Sequence, residues 1–471
     1  MPKETTISDT FSCRGFWWIP SAPENRVPGT LSYDPMGERR LELDGSLQHD
    51  SSKGQFGLLN LPCILGETLD GKACTLVDAY QTSLLLPFPG LATTRFSVSQ
   101  ILIGDDHVDP NSKTYESALI TLTDLRAWMG RVPFTDQFGP GGSSVSTTFT
   151  TPSIVTTYVA ALDAVISIEA GFGSSMDYTS RTITYDELLR MSPKEPQALE
   201  WYLQALFRFR ILLSLLVGRP VHLRRVQLST SIEKKEGFGG KPIRRYVDLC
   251  LRQVGYRQQK DMLTPEMPFP HPLLSGDWPQ VVQTWFSKSQ SLDTLAGLLF
   301  GVSVNRSIPV EFQFLSLIQG IESYHRTHGD DEYVSDKDYE PIKKALLEAI
   351  PSNINPDHRE ALKGRIKYGN EYSLRKRLEI TVQSIPESLV TEITNKNKKF
   401  IAQVVATRNY LTHRDETDKA DVLDLSGMFD ASVSLKLLTE FLLLREVGVP
   451  VDKLCQVMTV HPRYKNRPRI L

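Results

Sequence analysis

The fold of the C-terminal half is indicated most clearly by residues 401–413, which read IAQVVATRNYLTH. Ile401, Val404 and Val405 form an apolar stripe at helical spacing. Arg408 follows at the position that continues this inward face. Because burying an unpaired charge costs free energy, a charged side chain on such a face is normally paired or functional. The stretch therefore predicts a helix with a paired or functional arginine near its C-terminal end.

Arg408 and His413 are the two side chains of this stretch that suit cleavage of RNA. A guanidinium can hold a phosphate and its growing negative charge, and an imidazole titrates near neutrality and can transfer a proton. In an ideal helix, two side chains that are five residues apart point in different directions around the axis. The two can share one phosphate only if the helix ends between them, for example at the polar run 413–418, or if a second chain contributes. The structural alternative is a helix-end arginine followed by a capping histidine.

Asn409 lies one helical turn before His413 and can orient its ring if the helix persists that far.

The net charge of the whole chain does not indicate nucleic-acid binding. It carries 53 Lys and Arg against 55 Asp and Glu, so any RNA contact must come from local patches. Lys398 and Lys399, expected on the same helix as Arg408, and Arg414 are candidate RNA contacts. The alternative is that these cations belong to solvated surfaces.

Cysteine usage and hydropathy bear on the compartment. The five cysteines are scattered and show no paired metal-ligand spacing, which favours a reducing cytosol and predicts neither a disulfide framework nor a zinc site. The N-terminus lacks an apolar signal segment, and the most apolar stretch, residues 211–217, is too short to span a bilayer. We therefore expect a cytoplasmic protein without a membrane segment, bound metal or cofactor.

Residues 1–185 form a β-rich region in this interpretation. Two hairpins are predicted, one around the Pro/Gly turn at 34–37 and one around the Asp-Gly turn at 69–72. A mixed, mainly helical segment, 186–302, is expected to complete or link the first domain. It contains a helix over 195–217 and candidate strands at 226–229 and 245–251.

Residues 303–471 are expected to be all-helical, so the chain is a multidomain α+β protein. The first of these helices places Phe314, Leu317, Ile318 and Ile321 on one face. The predicted helices span residues 309–326, 339–350, 357–368, 373–382, 387–411 and 428–447.

Two sets of motifs resemble known families. Arg408-Asn409-x-x-x-His413 resembles the signature of HEPN ribonucleases, and the preceding LKGRI, NEYSLR and RL, at residues 362–366, 370–375 and 377–378, are similar to the ApeA-type branch. The N-terminal part is similar to the ApeA N-terminal domain through GFWWIP, GTL, LELDG, IGDDH and LRAW, at residues 15–20, 29–31, 41–45, 103–107 and 125–128. The resemblance covers most of the chain.

The resemblance implies an all-α HEPN bundle and a bacterial anti-phage protein that acts by abortive infection. In HEPN ribonucleases the arginine and histidine carry catalysis, and two protomers usually pair around one composite cleft. It therefore implies a metal-independent endoribonuclease that leaves a 2′,3′-cyclic phosphate, built as a homodimer or a higher homo-oligomer. An acidic residue on an early helix, matched by Glu322, would position Arg408.

The implied partners are an RNA substrate, with tRNA among the candidates, and a phage-derived trigger sensed by the β-rich half. Two alternatives stay open at this point. In the first, the helical domain is a non-catalytic HEPN scaffold that binds RNA or protein. In the second, the β-rich half is a carbohydrate-binding or hydrolytic module that uses Trp17, Trp18 and Trp128 as a stacking platform.

Overall fold

A computed structural model of the chain describes residues 6–47, 58–85, 89–90, 92–236, 242–256, 259–305, 307–414 and 417–466. The chain divides into two compact units, Met1–Ser287 and Lys288–Leu471. The boundary falls inside the segment 186–302 that the sequence assigns to the middle of the protein.

The first unit is built on a sheet, as the sequence predicts for residues 1–185. Its strands are β1 (Phe11–Trp18), β2 (Val27–Tyr33), β3 (Arg39–Leu43), β4 (Asn60–Thr68), β5 (Ala73–Leu85), β6 (Thr93–Gly104), β7 (Tyr115–Leu122), β8 (Phe134–Phe138), β9 (Val145–Phe149), β10 (Val155–Val159), β11 (Ala164–Met176), β12 (Arg181–Pro193), β13 (Leu223–Glu236) and β14 (Pro242–Leu251). Its helices are α1 (Leu125–Met129), α2 (Leu199–Val217), α3 (His271–Leu274) and α4 (Trp278–Ser287).

The main sheet runs β10-β11-β12-β7-β13-β14-β6-β3-β2-β1-β4-β5, and β5 also pairs with β6, so that β1 to β6 close on one another. The two predicted hairpins are confirmed as β2–β3 and β4–β5. Gly71 occupies the β4–β5 turn at φ +79°, a backbone conformation that side chains disfavour. The candidate strands at 226–229 and 245–251 are also confirmed, within β13 and β14 of the same sheet.

The tryptophans of the first unit are core residues. Trp17 and Trp128 are 0% exposed and Trp18 is 5% exposed. Trp17 packs so closely on Gly66 that a Cβ there would lie 2.1 Å from the indole Cε3 atom, and Trp128 Nε1 donates to the carbonyl of Phe269 at 2.8 Å. The hypothesis of a tryptophan stacking platform is therefore wrong, because these rings are covered by the protein itself.

The second unit is helical. Its helices are α5 (Ser289–Val304), α6 (Val310–His328), α7 (Asp336–Glu348), α8 (Pro356–Lys367), α9 (Leu374–Gln383), α10 (Glu387–Ile393), α11 (Phe400–His413), α12 (Leu425–Glu446), α13 (Val451–Val460) and α14 (Pro462–Lys465). The core is centred on α12, where Leu435, Leu438, Phe441 and Leu442 are fully buried, and α5 and α6 pack against it. The predicted inward face of α6 is confirmed, since Phe314, Leu317, Ile318 and Ile321 are all buried.

One predicted helix, 387–411, is wrong. The structure has two helices here, α10 and α11, separated by residues 394–399. Asn395 and Lys396 have φ values of +53° and +58°, which a right-handed helix cannot contain. Lys398 therefore precedes α11 and Lys399 is its N-cap, so neither lies within the helix that carries Arg408.

Candidate functional site

Helix α11 continues without a break from Phe400 to His413. It ends one residue later, where Arg414 takes the left-handed conformation with φ 56° and donates its N–H to Tyr410 O at 3.0 Å. The idea that the helix ends between Arg408 and His413 is therefore wrong. Regular helical geometry turns the two side chains about 140° apart around the axis and about 7.5 Å apart along it. A single copy of α11 directs them away from a common point.

Arg408 is half-buried near the C-terminal end of α11. Its Nη1 donates to Asn409 Oδ1 at 3.2 Å. Within the described residues, Arg408 forms no ion pair with a carboxylate. Its positive charge is therefore held in place by a neutral amide, and no acid of the described ranges compensates it.

Asn409 acts on the arginine in this structure. The sequence suggested that its amide orients His413, but the amide oxygen accepts from Arg408 and, in the described part of the chain, makes no hydrogen bond with the imidazole. His413 is exposed at the last position of α11, and its ring has no hydrogen-bond partner among the described residues. The imidazole is therefore open to an incoming molecule.

The segment after the motif folds back along α11 and fixes it. Thr407, fully buried, accepts a hydrogen bond from Leu423 N at 2.9 Å through its hydroxyl. Lys399 Nζ pairs with Asp421 Oδ1 at 3.0 Å at the start of the helix. These two contacts hold the start and the middle of α11 against residues 421–423.

The three predicted RNA contacts have different surroundings. Lys399 is engaged with Asp421, whereas Lys398 is exposed. Arg414 donates to Tyr410 OH at 3.3 Å, and its guanidinium lies 5.4 Å from the centre of that ring. A pairing of Arg414 with Asp415 would lie outside the described residues, which exclude 415–416.

Glu322 lies on α6, but its partner differs from the one expected. Its Oε1 accepts from Arg377 Nη1 at 3.0 Å and lies 3.6 Å from Arg326 Nη2. Among the described residues it forms no ion pair with Arg408. The expected contact between Glu322 and Arg408 is therefore absent from this single chain, because Arg377 on α9 takes the carboxylate.

Arg377 is the centre of a charged network that sequence reasoning missed. Its side chain is 3% exposed and contacts three carboxylates, with distances of 3.0 Å to Glu322, 2.7 Å to Asp331 and 3.5 Å to Glu371. Arg326 binds the same three acids from the outer side. The signal in the sequence was the position of Arg377 beside Leu378, Thr381 and Val382, which form the buried face of α9. We call these five charged residues the Arg377 network.

His325 adjoins the Arg377 network. It is 4% exposed, its Nδ1 lies 4.0 Å from Asp331 Oδ1, and both ring nitrogens are buried without a hydrogen-bond partner in the described residues. Burial lowers the pKa of His325, because the charged ring would lose its hydration. This histidine is therefore a neutral core residue.

Two further observations concern metals and membranes. In the part of the chain that the structure describes, His, Cys, Asp and Glu side chains form no group of three that could hold a metal ion. The described helices include none that is both long and apolar enough to cross a membrane.

Comparisons with known proteins cover both units. A family model for ApeA N-terminal domain 1 matches residues 12–285, more than half of the chain, and a model for Apea-like HEPN matches residues 315–453. Searches of the curated proteins and of the solved structures find no match. The HEPN match includes α6 from residue 315 onward, the Arg377 network and the whole of α11. The chain therefore belongs to the ApeA family of HEPN-containing anti-phage proteins, with an ApeA N-terminal domain followed by an Apea-like HEPN domain.

Proposed function

We propose that this protein is an anti-phage endoribonuclease whose catalytic site is assembled from two copies of α11. The observation that carries the proposal is the unbroken course of α11 through His413, with the Arg408 guanidinium bound, among the described residues, to a neutral amide and to no carboxylate. Side chains about 140° apart on one helix cannot converge on one phosphate, whereas side chains from two facing helices can. Arg408 of one copy would then act with the imidazole of the other.

The proposed reaction uses the RNA's own 2′-hydroxyl as nucleophile. His413 accepts the proton of this hydroxyl while the oxygen attacks the adjacent phosphorus, and the bond to the 5′-oxygen breaks, after which that oxygen takes up a proton from water. Arg408 stabilises the extra negative charge on the phosphate oxygens. The products are a 2′,3′-cyclic phosphate and a 5′-hydroxyl end. DNA has no 2′-hydroxyl and is expected to survive.

The remaining residues have supporting roles in this proposal. Asn409 fixes the direction of the Arg408 guanidinium. Lys398 and Arg414, at opposite ends of α11, contact the RNA backbone, and Lys399 can join them when it releases Asp421. Glu322 acts through Arg377 by fixing α6 to α9, which packs against α11.

The β-rich unit is proposed to sense a phage-derived trigger and to restrain the nuclease. An unrestrained ribonuclease would poison its own host, so an abortive-infection effector needs such control. The test is cell survival with and without phage in cells that carry the full chain or variants of exposed residues in the first unit. Variants that kill uninfected cells, or that fail to respond to phage while keeping nuclease activity, support the sensor role.

Cleavage of total RNA in the presence of a chelator tests the proposed chemistry. Arg408→Ala and His413→Ala are each expected to lower the rate by about a thousandfold or more, because each removes a group that acts on the transition state. Lys344→Ala, an exposed lysine on α7, is the matched control and should cleave like the unaltered protein. Full activity of both motif variants would refute the enzyme and favour a non-catalytic HEPN scaffold.

Mixing the two inactive variants tests the two-copy site. Equal amounts of Arg408→Ala and His413→Ala protein, unfolded and refolded together, form about half mixed pairs. Each mixed pair keeps one intact arginine and one intact histidine on different copies, so about a quarter of full activity should return. No recovery in a mixture shown to contain mixed pairs would place both groups of one site on the same copy.

A further inference from the structure

The stretch from the end of α8 to the start of α9 carries positive charge that the residues described by the structure do not neutralise. Residues 356–377 contain seven Lys or Arg against three Asp or Glu, although acids slightly exceed bases in the whole chain. Arg365, Lys367 and Arg375 are exposed and Lys376 is half-buried. In the described residues these four cations form no ion pair. We call them, with Tyr368, the α8–α9 basic surface.

Tyr368 gives this surface an aromatic face. Its side chain is 59% exposed, although it is large and apolar over most of its area. Lys367 Nζ lies 5.3 Å from the centre of the ring. An exposed aromatic ring among cations is the arrangement with which proteins bind single-stranded nucleic acid, because bases stack on the ring and phosphates meet the cations.

The connection that carries Tyr368 is rigid. Asn370 is buried and exchanges two hydrogen bonds with the backbone of Val334, Nδ2 to O at 2.8 Å and N to Oδ1 at 3.1 Å. Tyr372 N donates to Asp331 O at 2.8 Å. The connection between α8 and α9 is therefore fixed before any ligand arrives, which lowers the entropic cost of binding.

Two acids near this surface are engaged with other cations. Glu371 lies in the same connection but binds Arg326 at 2.8 Å and Arg377 at 3.5 Å. Glu360 on α8 is paired with Lys363 at 2.6 Å. These two carboxylates are therefore held by other cations, and the exposed cations of the α8–α9 basic surface can attract a polyanion.

We propose that the α8–α9 basic surface binds the RNA substrate through unpaired bases and their phosphates, and feeds it to the neighbouring motif helix. Helix α9 packs directly against α11. The inference rests on the proposed ribonuclease function and deepens it, because it names single-stranded regions of RNA as the substrate class. Tyr368 stacks on a base, and Arg365, Lys367, Arg375 and Lys376 contact phosphates.

Binding of a fluorescein-labelled single-stranded RNA of about 20 nucleotides tests the proposal. The full chain with His413→Ala is used, so that binding is measured without cleavage. Arg365→Gln, Lys367→Gln and Arg375→Gln are combined and compared with Lys113→Gln, Lys194→Gln and Lys260→Gln, which remove the same charge from exposed positions of the first unit. Thermal melting checks that both sets of variants fold.

The α8–α9 variant is expected to raise the Kd about tenfold or more and to reduce the slope of log binding constant against log salt by about 2, since each lost contact to single-stranded RNA removes about 0.7. Tyr368→Leu should raise the Kd about fivefold or more, with an unchanged salt slope, and should have little effect on a duplex of the same sequence. Equal affinity and equal slope for the two triple variants would overturn the proposal.

The same measurements separate this inference from the proposed function. If the α8–α9 variant loses RNA binding and the unaltered protein does not cleave RNA, the proposed binding surface is supported and the proposed nuclease activity is contradicted. If the unaltered protein cleaves RNA and the α8–α9 variant has unchanged binding and an unchanged KM, the nuclease activity is supported and the binding surface is contradicted.

Discussion

Two arginines of the helical unit illustrate opposite uses of the same side chain. Arg377 is 3% exposed and meets three carboxylates. Arg408 is half-buried and meets one amide oxygen, with no ion pair in the described residues. A guanidinium surrounded by acids has little attraction left for another anion, whereas one held by a neutral partner keeps its full charge for a ligand. The difference in partners therefore separates a structural arginine from a candidate catalytic one.

The largest effect expected on stability comes from Arg377→Met, and Arg408→Met is its matched comparison. Arg377→Met leaves three partly buried acids without their central cation, and should lower the free energy of unfolding by about 3–5 kcal/mol. Arg408→Met should change it by less than about 1 kcal/mol, because no acid in the described part of the chain pairs with it. Denaturation of both full-length variants, followed by circular dichroism, measures the difference. Equal losses would remove the distinction between the two sites.

Glu322→Gln tests where that carboxylate acts. It weakens the contacts to Arg377 and Arg326 and should destabilise the protein by about 1–3 kcal/mol. Cleavage per folded molecule should stay unchanged. Glu348→Gln, at an exposed position on α7, is the control. A cleavage defect in a Glu322→Gln protein of normal stability would instead show that Glu322 acts on Arg408 in the assembled enzyme.

Acidification should lower the free energy of unfolding through His325, which adjoins the Arg377 network. The decrease should be smaller than that caused by Arg377→Met. Burial lowers the pKa of His325 in the folded protein, so between its ordinary value and the folded value the unfolded chain binds more protons. The stabilising contribution is therefore present above about pH 6.5 and lost as the pH falls below it. His325→Phe should flatten this part of the pH dependence in thermal melts. An equally steep loss in His325→Phe would assign the effect to other groups.

The smallest expected effect comes from the ion pair between Lys399 and Asp421 at the start of α11. Lys399 is 70% exposed, so Lys399→Gln and Asp421→Asn should each cost less than about 1 kcal/mol. Their effects on catalysis should differ, because only Lys399 can attract RNA. A raised KM in Lys399→Gln with an unchanged KM in Asp421→Asn supports a backbone contact, and identical KM values in both exclude it.

Local patterns predicted most of the helical unit and failed at two kinds of place. The apolar spacing of α6 and α12 gave their positions within a few residues, since both are long and strongly buried. The break before α11 was missed because its left-handed residues are Asn395 and Lys396, without a glycine or proline to mark it. The spacing of apolar residues also did not decide whether α11 continues past Arg408.

Long-range pairings were the second kind of failure. Glu322 and Arg377 are 55 residues apart in the chain, and periodicity places both on inward faces without saying that they meet. In the first unit, the hairpins β2–β3 and β4–β5 followed from turn residues, but the pairing of β5 with β6 that closes the sheet depends on packing across the whole unit. Tertiary structure decides such contacts.

The uninterrupted α11 has a consequence for dosage. If every scissile bond needs two molecules, then at concentrations below the dissociation constant of the pair the amount of working enzyme rises with the square of the amount of protein. A tenfold rise in abundance would then raise the cutting capacity about a hundredfold. A cell could therefore contain a low concentration of the protein with little RNA cleavage, and a moderate rise in concentration during infection would increase cleavage steeply.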